Sequence, residues 1–410
     1  IMKRLLACLF IVLGLGLTFN VNANSNKPII IPTHNWSSQI VGAYVIGGIF
    51  ESIGKNIRYK NHDSQAVYES IRRGDVSISH EVWESAFGRS FNEALSKGGI
   101  IDAGLHPAST MEDIGVPTWV IEKNLCPGLP NWEALKNCAD VFARPGSKGK
   151  GIILEGPQSW HGDLIPQRID ALGLSKKYKV KFAGSADQLW RELYDAKRKG
   201  KGILMFNWSP NFTDAEGFTM IKWPKYYAGC RPVEGGSGAC GSPAGYLKKA
   251  ASSKFANQHP DAFNVFKKIS FTTKDMGKMA YYVDVEKMTH QDAAKKWLRK
   301  NKYKWEYWIG RTNIAYNAFD QQKIEQDSFY ETTTKIVKKE KKKEKKKVVK
   351  KTDAQEEFKP KTENLDQNPP KINIASAITV NDTDYEIEGF VKDESEKIYI
   401  EAEGRPIKVK

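Results

Sequence analysis

From Pro28 to about Trp308, short apolar runs alternate with segments whose apolar residues recur every three or four positions. That is the pattern of strands joined by helices. The run Ile29-Ile30-Ile31 ends at the polar turn His34-Asn35-Trp36-Ser37-Ser38, after which Ile40, Val41, Tyr44, Val45 and Ile49 return at helical spacing. Ser37 or Ser38 is the expected N-cap. A helix from about Gln65 to Arg73 stops at Gly74, and Val76 to Trp83 follows as a strand. Glycine just past a helix takes the left-handed cap conformation, so Arg73-Gly74-Asp75 reads as a helix stop and not as an adhesion tripeptide.

A second set of such units follows. Gly151 to Leu154 runs into the Gly156-Pro157 turn, then come a helix near Asp163 to Leu172, a strand from Lys179 to Phe182, a helix near Asp187 to Arg198 and a strand from Gly202 to Phe206. Two sets imply an α/β protein of two lobes. Val116 to Ile121 and Phe218 to Trp223 are the extended segments expected to cross between them, which places the first lobe in 24–115 and 224–319 and the second in 116–223. A helical region from Gln291 to Ile309 closes the body.

Residues 320–370 are polar and then almost pure Lys/Glu, a composition that buries too little apolar surface to fold and reads as a solvated linker. Beyond it, Lys371 to Ala375, Tyr385 to Val391, Lys397 to Ala402 and Ile407 to Val409 alternate apolar and polar residues. They predict a small all-β module over 371–410, immunoglobulin-like and partial.

Lys3 and Arg4, the apolar run Leu5 to Leu17 and the small-residue site Val21-Asn22-Ala23 form the grammar of a signal peptide over 1–23. Export to the periplasm is expected. The apolar run is too short to span a bilayer, and no later stretch is long enough. Cys8 precedes that run instead of following it, which argues against a lipid anchor.

Cys126, Cys138, Cys230 and Cys240 remain, an even count in an exported chain, with three possible connectivities. The local pairs Cys126–Cys138 and Cys230–Cys240 each close a short loop and are expected as disulfides; a zinc site would lack CxxC spacing. The formal charge of +15 is unevenly spread: Lys335 to Lys351 holds eleven lysines against two glutamates, residues 352–410 are net acidic, and residues 24–334 carry +10. Without an aromatic-basic motif or a recognition helix, this excess predicts no nucleic-acid partner. Gly146 to Gly151 is glycine-rich but is no phosphate-binding GxxxxGK[ST], and neither HExxH nor GxSxG occurs. Neither an enzyme nor a cofactor or metal is expected.

The chemistry lies in the tryptophans. Trp36, Trp83, Trp119, Trp160 and Trp208 stand where strands meet loops, and in open α/β sheets ligands bind outside the carboxyl ends of strands. Converging indole faces attract a cation that has no hydrogen bonds to donate, the chemistry of quaternary ammonium recognition. Trp132, Trp190, Trp297, Trp305 and Trp308 lie in helical patterns and read as packing. Trp223 could line a hinge.

The motifs NWSSQ, GDVSISHEVW, GVPTWVI, GPQSWHGD, FNWSP and AAKKWLRKN, in this order over roughly residues 28–310, resemble the glycine betaine, choline and related quaternary-amine substrate-binding proteins of ABC transporters. The resemblance implies a two-lobed periplasmic-binding-protein fold of type II that closes on ligand, and a monomer that delivers its cargo to ABC permease subunits. It also implies a cation box with Trp36 and Trp83 from the first lobe, Trp119 from the crossing strand, and Trp160 and Trp208 from the second.

A betaine carboxylate needs donors. His161 and Gly162 at the helix start after Gln158, with Ser37 and Ser38, are the candidates. Some relatives place a histidine four residues after the tryptophan equivalent to Trp83, where this chain has Phe87. Glu81 is the only acceptor candidate for a choline hydroxyl, so glycine betaine is ranked above choline, trimethylamine N-oxide and dimethylsulfoniopropionate. The rival reading is a non-transport envelope scaffold whose Lys-rich tail holds an envelope polymer or an anionic membrane surface.

Overall fold

A computed structural model describes residues 26–312, 315–323 and four short strands between 371 and 407. The expected signal segment 1–23 and residues 324–370 of the expected linker lie outside them.

The chain opens with β1 (Ile29–Thr33), α1 (Ser37–Ser52), β2 (Ile57–Asn61), α2 (Val67–Arg73), β3 (Ile78–Trp83), α3 (Glu84–Ser96) and β4 (Ile100–Leu105). β1 and β2 pair in parallel, and the Ser77 N–H donates to Ile30 O at 2.8 Å, which sets the entry of β3 beside β1. Gly74 closes α2 at φ 79°, the left-handed cap expected there. The N-cap of α1 differs from expectation. Trp36 occupies it in extended conformation without a side-chain cap, because the Ser37 hydroxyl donates to Asp284 Oδ1 at 2.7 Å, a stronger, charge-assisted partner.

The second lobe follows: β5 (Met111–Pro117), α4 (Thr118–Glu122), β6 (Gly151–Glu155), α5 (Gln158–His161), α6 (Leu164–Ala171), β7 (Tyr178–Phe182), α7 (Ala186–Lys199), β8 (Leu204–Ser209), α8 (Thr213–Glu216) and β9 (Phe218–Met220). Its sheet has the order β7-β6-β8-β5-β9, with β6 parallel to β7 and β8, and β5 antiparallel to β8 and β9. Both segments expected to cross between lobes therefore belong to this sheet. Pro117 ends β5 and the chain turns into α4, so Val116 to Ile121 is only half extended. The connections instead run side by side at Thr110 and Gly245, whose backbones exchange two hydrogen bonds of 2.8 Å.

β10 (Leu247–Ser252) returns to the first lobe and lies between β3 and β4, antiparallel to both. α9 (Ser253–Gln258), α10 (Pro260–Lys268), α11 (Thr273–Asp284), α12 (His290–Lys300) and α13 (Lys302–Trp308) cover it, with Trp297 and Trp308 packed edge-on to Phe271. Cys126–Cys138 and Cys230–Cys240 are disulfides, as paired from the sequence.

Past residue 370, Lys371–Ile374 pairs antiparallel with Gly389–Lys392, and Ile400–Ala402 with Arg405–Ile407. The strands are shorter than expected and form two separate ladders. No two-sheet sandwich, and so no immunoglobulin-like module, stands among the described residues.

Candidate ligand-binding site

Trp36, Trp83, Phe87, Glu112, Trp160, Phe206 and Trp208 line one pocket. Each lining element carries its aromatic residue at an end. Trp36 precedes α1, Trp83 ends β3, Phe87 lies four residues on in the first turn of α3, and Phe206 and Trp208 share one face of β8 by its period of two. Trp160 reaches the same point from α5. A Cβ on Gly156 would stand 2.5 Å from the Trp160 ring, so only glycine there lets that indole fold back over the strand end.

The rings make a corner. Trp160 stands perpendicular to Trp36 (centroids 5.8 Å, 83°) and to Trp208 (5.4 Å, 90°), while Phe87 stacks beside Trp36 at 6.0 Å. All four indoles are at least 94% buried. Trp190, read as packing, backs Trp208 at 5.1 Å.

The polar edges of three indoles are occupied. Trp36 and Trp83 both donate from Nε1 to Glu81 Oε2, at 2.7 and 2.9 Å, and Trp160 donates to Asn35 Oδ1 at 3.0 Å. Ring faces are thereby left to the pocket. Glu81 lies behind the wall instead of lining it, and burial pushes its carboxyl up to about 7 against the pull of those two N–H donors.

Glu112 is the single charged residue in the lining. The cross-strand register of β5 and β8 sets it opposite Trp208. Its Oε2 is buried with no hydrogen-bond partner among the described residues, and Oε1 is 3.4 Å from His161 Nε2. His161 Nδ1 in turn is 3.9 Å from Glu155 Oε1. Burial opposes the imidazolium, but the two carboxylates outweigh it and hold His161 above its ordinary value; Glu155 is pushed by burial up to about 7.

The structure thus brings Trp36, Trp83, Trp160 and Trp208 together and leaves the other expected site residues elsewhere. Trp119 is on α4 at the sheet edge, where its indole donates to Lys201 O at 3.4 Å and Lys197 Nζ lies 5.9 Å from its ring. The turn after Pro117 carries it away from the pocket. His161 is held between two carboxylates and does not face an anion, and the Gly162 N–H is spent on Gln158 O at 2.8 Å. Ser37 is bonded to Asp284, and the Ser38 hydroxyl points at Glu81, 3.5 Å away.

Sequence reasoning missed Glu112 and Phe206 and read Phe87 only as a lost histidine. Phe206 was detectable, since it lies two residues before Trp208 on a strand. The inward face of Glu112 depends on register with a distant strand, which no local signal reveals.

The chain matches, over residues 27–300, the family described as the substrate binding domain of ABC-type glycine betaine transport systems. It is 66% identical over 285 residues to the trimethylamine N-oxide-binding protein of Pelagibacter ubique (strain HTCC1062), covering 69% of this chain and 91% of that one. Solved structures share the fold. The glycine/betaine/L-proline-binding protein of Borrelia burgdorferi superposes with a TM-score of 0.56 at 17% identity, over 69% of this chain and 97% of its own. Lactococcal OpuAC, closed on glycine betaine, gives 0.52 at 15%, over 69% and 99%. With two-thirds of its length matched to that description, the chain belongs to the substrate-binding domains of ABC-type glycine betaine transport systems.

Proposed function

We propose that the ligand is trimethylamine N-oxide, captured outside the cytoplasm, in the periplasm, by a monomeric receptor that hands it to an ABC permease. The observation that carries this reading is the pocket's polarity: aromatic walls, one carboxylate, and no lysine or arginine. A glycine betaine carboxylate would meet Glu112 with no cationic partner in the lining, a like-charge contact in a desolvated site. Trimethylamine N-oxide presents the same trimethylammonium face to the indoles but ends in a single oxygen. A proton shared between Glu112 Oε2 and that oxygen satisfies both. The name of the 66% identical relative agrees with this choice.

Choline is the second reading, since its hydroxyl would donate directly to the unpartnered Glu112 Oε2. Isothermal titration of the protein with trimethylamine N-oxide, choline, glycine betaine and dimethylsulfoniopropionate decides between them. The expected order places trimethylamine N-oxide first and the two carboxylate-bearing ligands last. Tightest binding of glycine betaine would overturn the assignment.

A further inference from the structure

Glu81 is 2% exposed, sits outside the pocket lining, and spends one oxygen on two indole N–H groups that belong to opposite ends of the same aromatic wall. Packing alone does not call for a carboxylate there, since an amide oxygen would accept the same two bonds without the cost of burying a charge. We propose that Glu81 is the counter-ion of the ligand's quaternary nitrogen, acting as a positioning residue through the indoles of Trp36 and Trp83. The inference rests on the reading of this pocket as a quaternary-amine site.

Two effects run in the same direction. An N–H donated to a carboxylate leaves more electron density in the ring than one donated to a neutral acceptor, because hydrogen-bonded groups polarise one another in a low-dielectric interior. The ring face then attracts a cation more strongly. The shared acceptor also locks both indoles at one mutual angle, so the two faces converge before ligand arrives. Glu81 Oε1 has no hydrogen-bond partner, so no second donor disperses the charge.

Several groups face this carboxylate. The Trp36 indole and Ser38 hydroxyl approach from the start of α1, the Trp83 indole from β3, and the Tyr68 phenol of α2 is close enough to feel both Glu81 and Glu112. No lysine or arginine contributes to its ionisation, which burial alone opposes. A carboxyl in such surroundings gains from a cation on the far side of the rings. Ligand binding and ionisation of Glu81 therefore favour each other.

The test uses two probes of nearly equal shape, tetramethylammonium, a permanent cation, and tert-butanol, neutral and isosteric with trimethylamine N-oxide. Both are measured by displacement of trimethylamine N-oxide from the wild-type protein and from Glu81→Gln. The ratio of affinities, cation over neutral, is expected to fall about tenfold in the variant, the size of one strong cation–π contact. Equal loss of both probes would show that Glu81 only props the wall, and no loss would show that it does nothing; either result overturns the proposal.

Should the variant not fold, the wild-type protein supplies the readout. Affinity for tetramethylammonium is expected to rise as pH passes upward through about 7, with the Trp36 and Trp83 indole N–H resonances shifting in the same titration. Glu155 and His161 titrate nearby across the pocket, so indole resonances that stay still while affinity changes would reject Glu81 as the source. A wild-type protein that binds neither trimethylamine N-oxide nor tetramethylammonium would instead remove the functional reading itself.

Discussion

Glu112 and Trp208 face each other directly across the antiparallel β5–β8 ladder, which makes the pocket's one carboxylate and one of its four indoles a cross-strand pair. The pair couples charge and shape: Trp208 gives a face to the methyl groups while Glu112 meets whatever the fourth substituent carries. Glu112→Gln removes the repulsion of a ligand carboxylate and keeps the volume. The expected outcome is a loss of about tenfold or more for trimethylamine N-oxide and choline, the value of one charge-assisted hydrogen bond, with a smaller loss or a gain for glycine betaine. Calorimetry of the variant with all three ligands reads the change in selectivity.

Removing walls separates box residues from packing residues. Trp83→Ala and Trp208→Ala each delete a cation–π contact and open a desolvated pocket to water, so affinity is expected to fall by about a hundredfold. Trp119→Ala and Trp132→Ala are expected to stay within about twofold of wild type. Trp119 lies over Lys197 at the sheet edge and Trp132 carries Lys136 4.6 Å from its ring, neither in the pocket lining. Intrinsic fluorescence titration of the four variants measures this, and loss of binding in Trp119→Ala would return that residue to the site.

How much of this was legible beforehand follows from where each residue sits. Trp36, Trp83 and Trp208 each terminate an apolar run, and the end of a strand is a place the local pattern marks, so their convergence could be read along the chain. Trp119 looked equivalent beside Pro117. Its fate turned on whether the chain stayed extended or coiled after the proline, and five residues of either pattern look alike. Glu112 stood in the polar stretch Met111-Glu112-Asp113, where the pocket-facing residue is decided by pairing with β8. The two lobes were visible from alternating strand and helix signals, whereas the crossing points were not, because the sheet begins at Met111 and the hinge pairing of Thr110 with Gly245 joins residues far apart in sequence. Polarity misled at the carboxylate end: His161, a plausible anion donor in one dimension, is neutralised by Glu112 and Glu155 in three.

Trp160 is tied to the first lobe at both ends of its residue. Its indole donates to Asn35 Oδ1 at 3.0 Å, and its carbonyl accepts from Gln65 Nε2 at 3.2 Å, the same amide that also donates to Ala86 O. These bonds form only when the second lobe closes on the first, so they slow opening more than they speed capture. Asn35→Ala and Gln65→Ala are each expected to raise the ligand dissociation rate about three- to tenfold with the association rate little changed, as suits a hydrogen bond worth about 1 kcal/mol. Stopped-flow fluorescence gives both rates; a change confined to association would place these residues on the entry path instead.

Burial of carboxyl groups sets the last expectation, which concerns stability and pH. Glu81 and Glu155 are raised to about 7, and Asp214 and Asp284 to about 6, in each case chiefly by burial. A carboxyl whose folded value lies above its unfolded one keeps its proton longer when folded, so it favours the folded state at low pH and loses that contribution as pH rises toward the folded value. His34, His80 and His106 act with the opposite sign over part of the same range, since burial lowers them and the unfolded chain takes up the proton first. The wild-type stability curve therefore mixes both signs, and the informative quantity is the difference between Glu81→Gln and wild type. That difference is expected to move in favour of the variant by on the order of 3 kcal/mol between about pH 4.5 and pH 7, and to stay level above the upper limit. Urea titrations of both proteins at half-unit pH steps measure it without ligand. A difference that is constant across the window would mean that Glu81 ionises in the folded protein as readily as in water, and with it the buried acid behind the tryptophan wall would lose its physical basis.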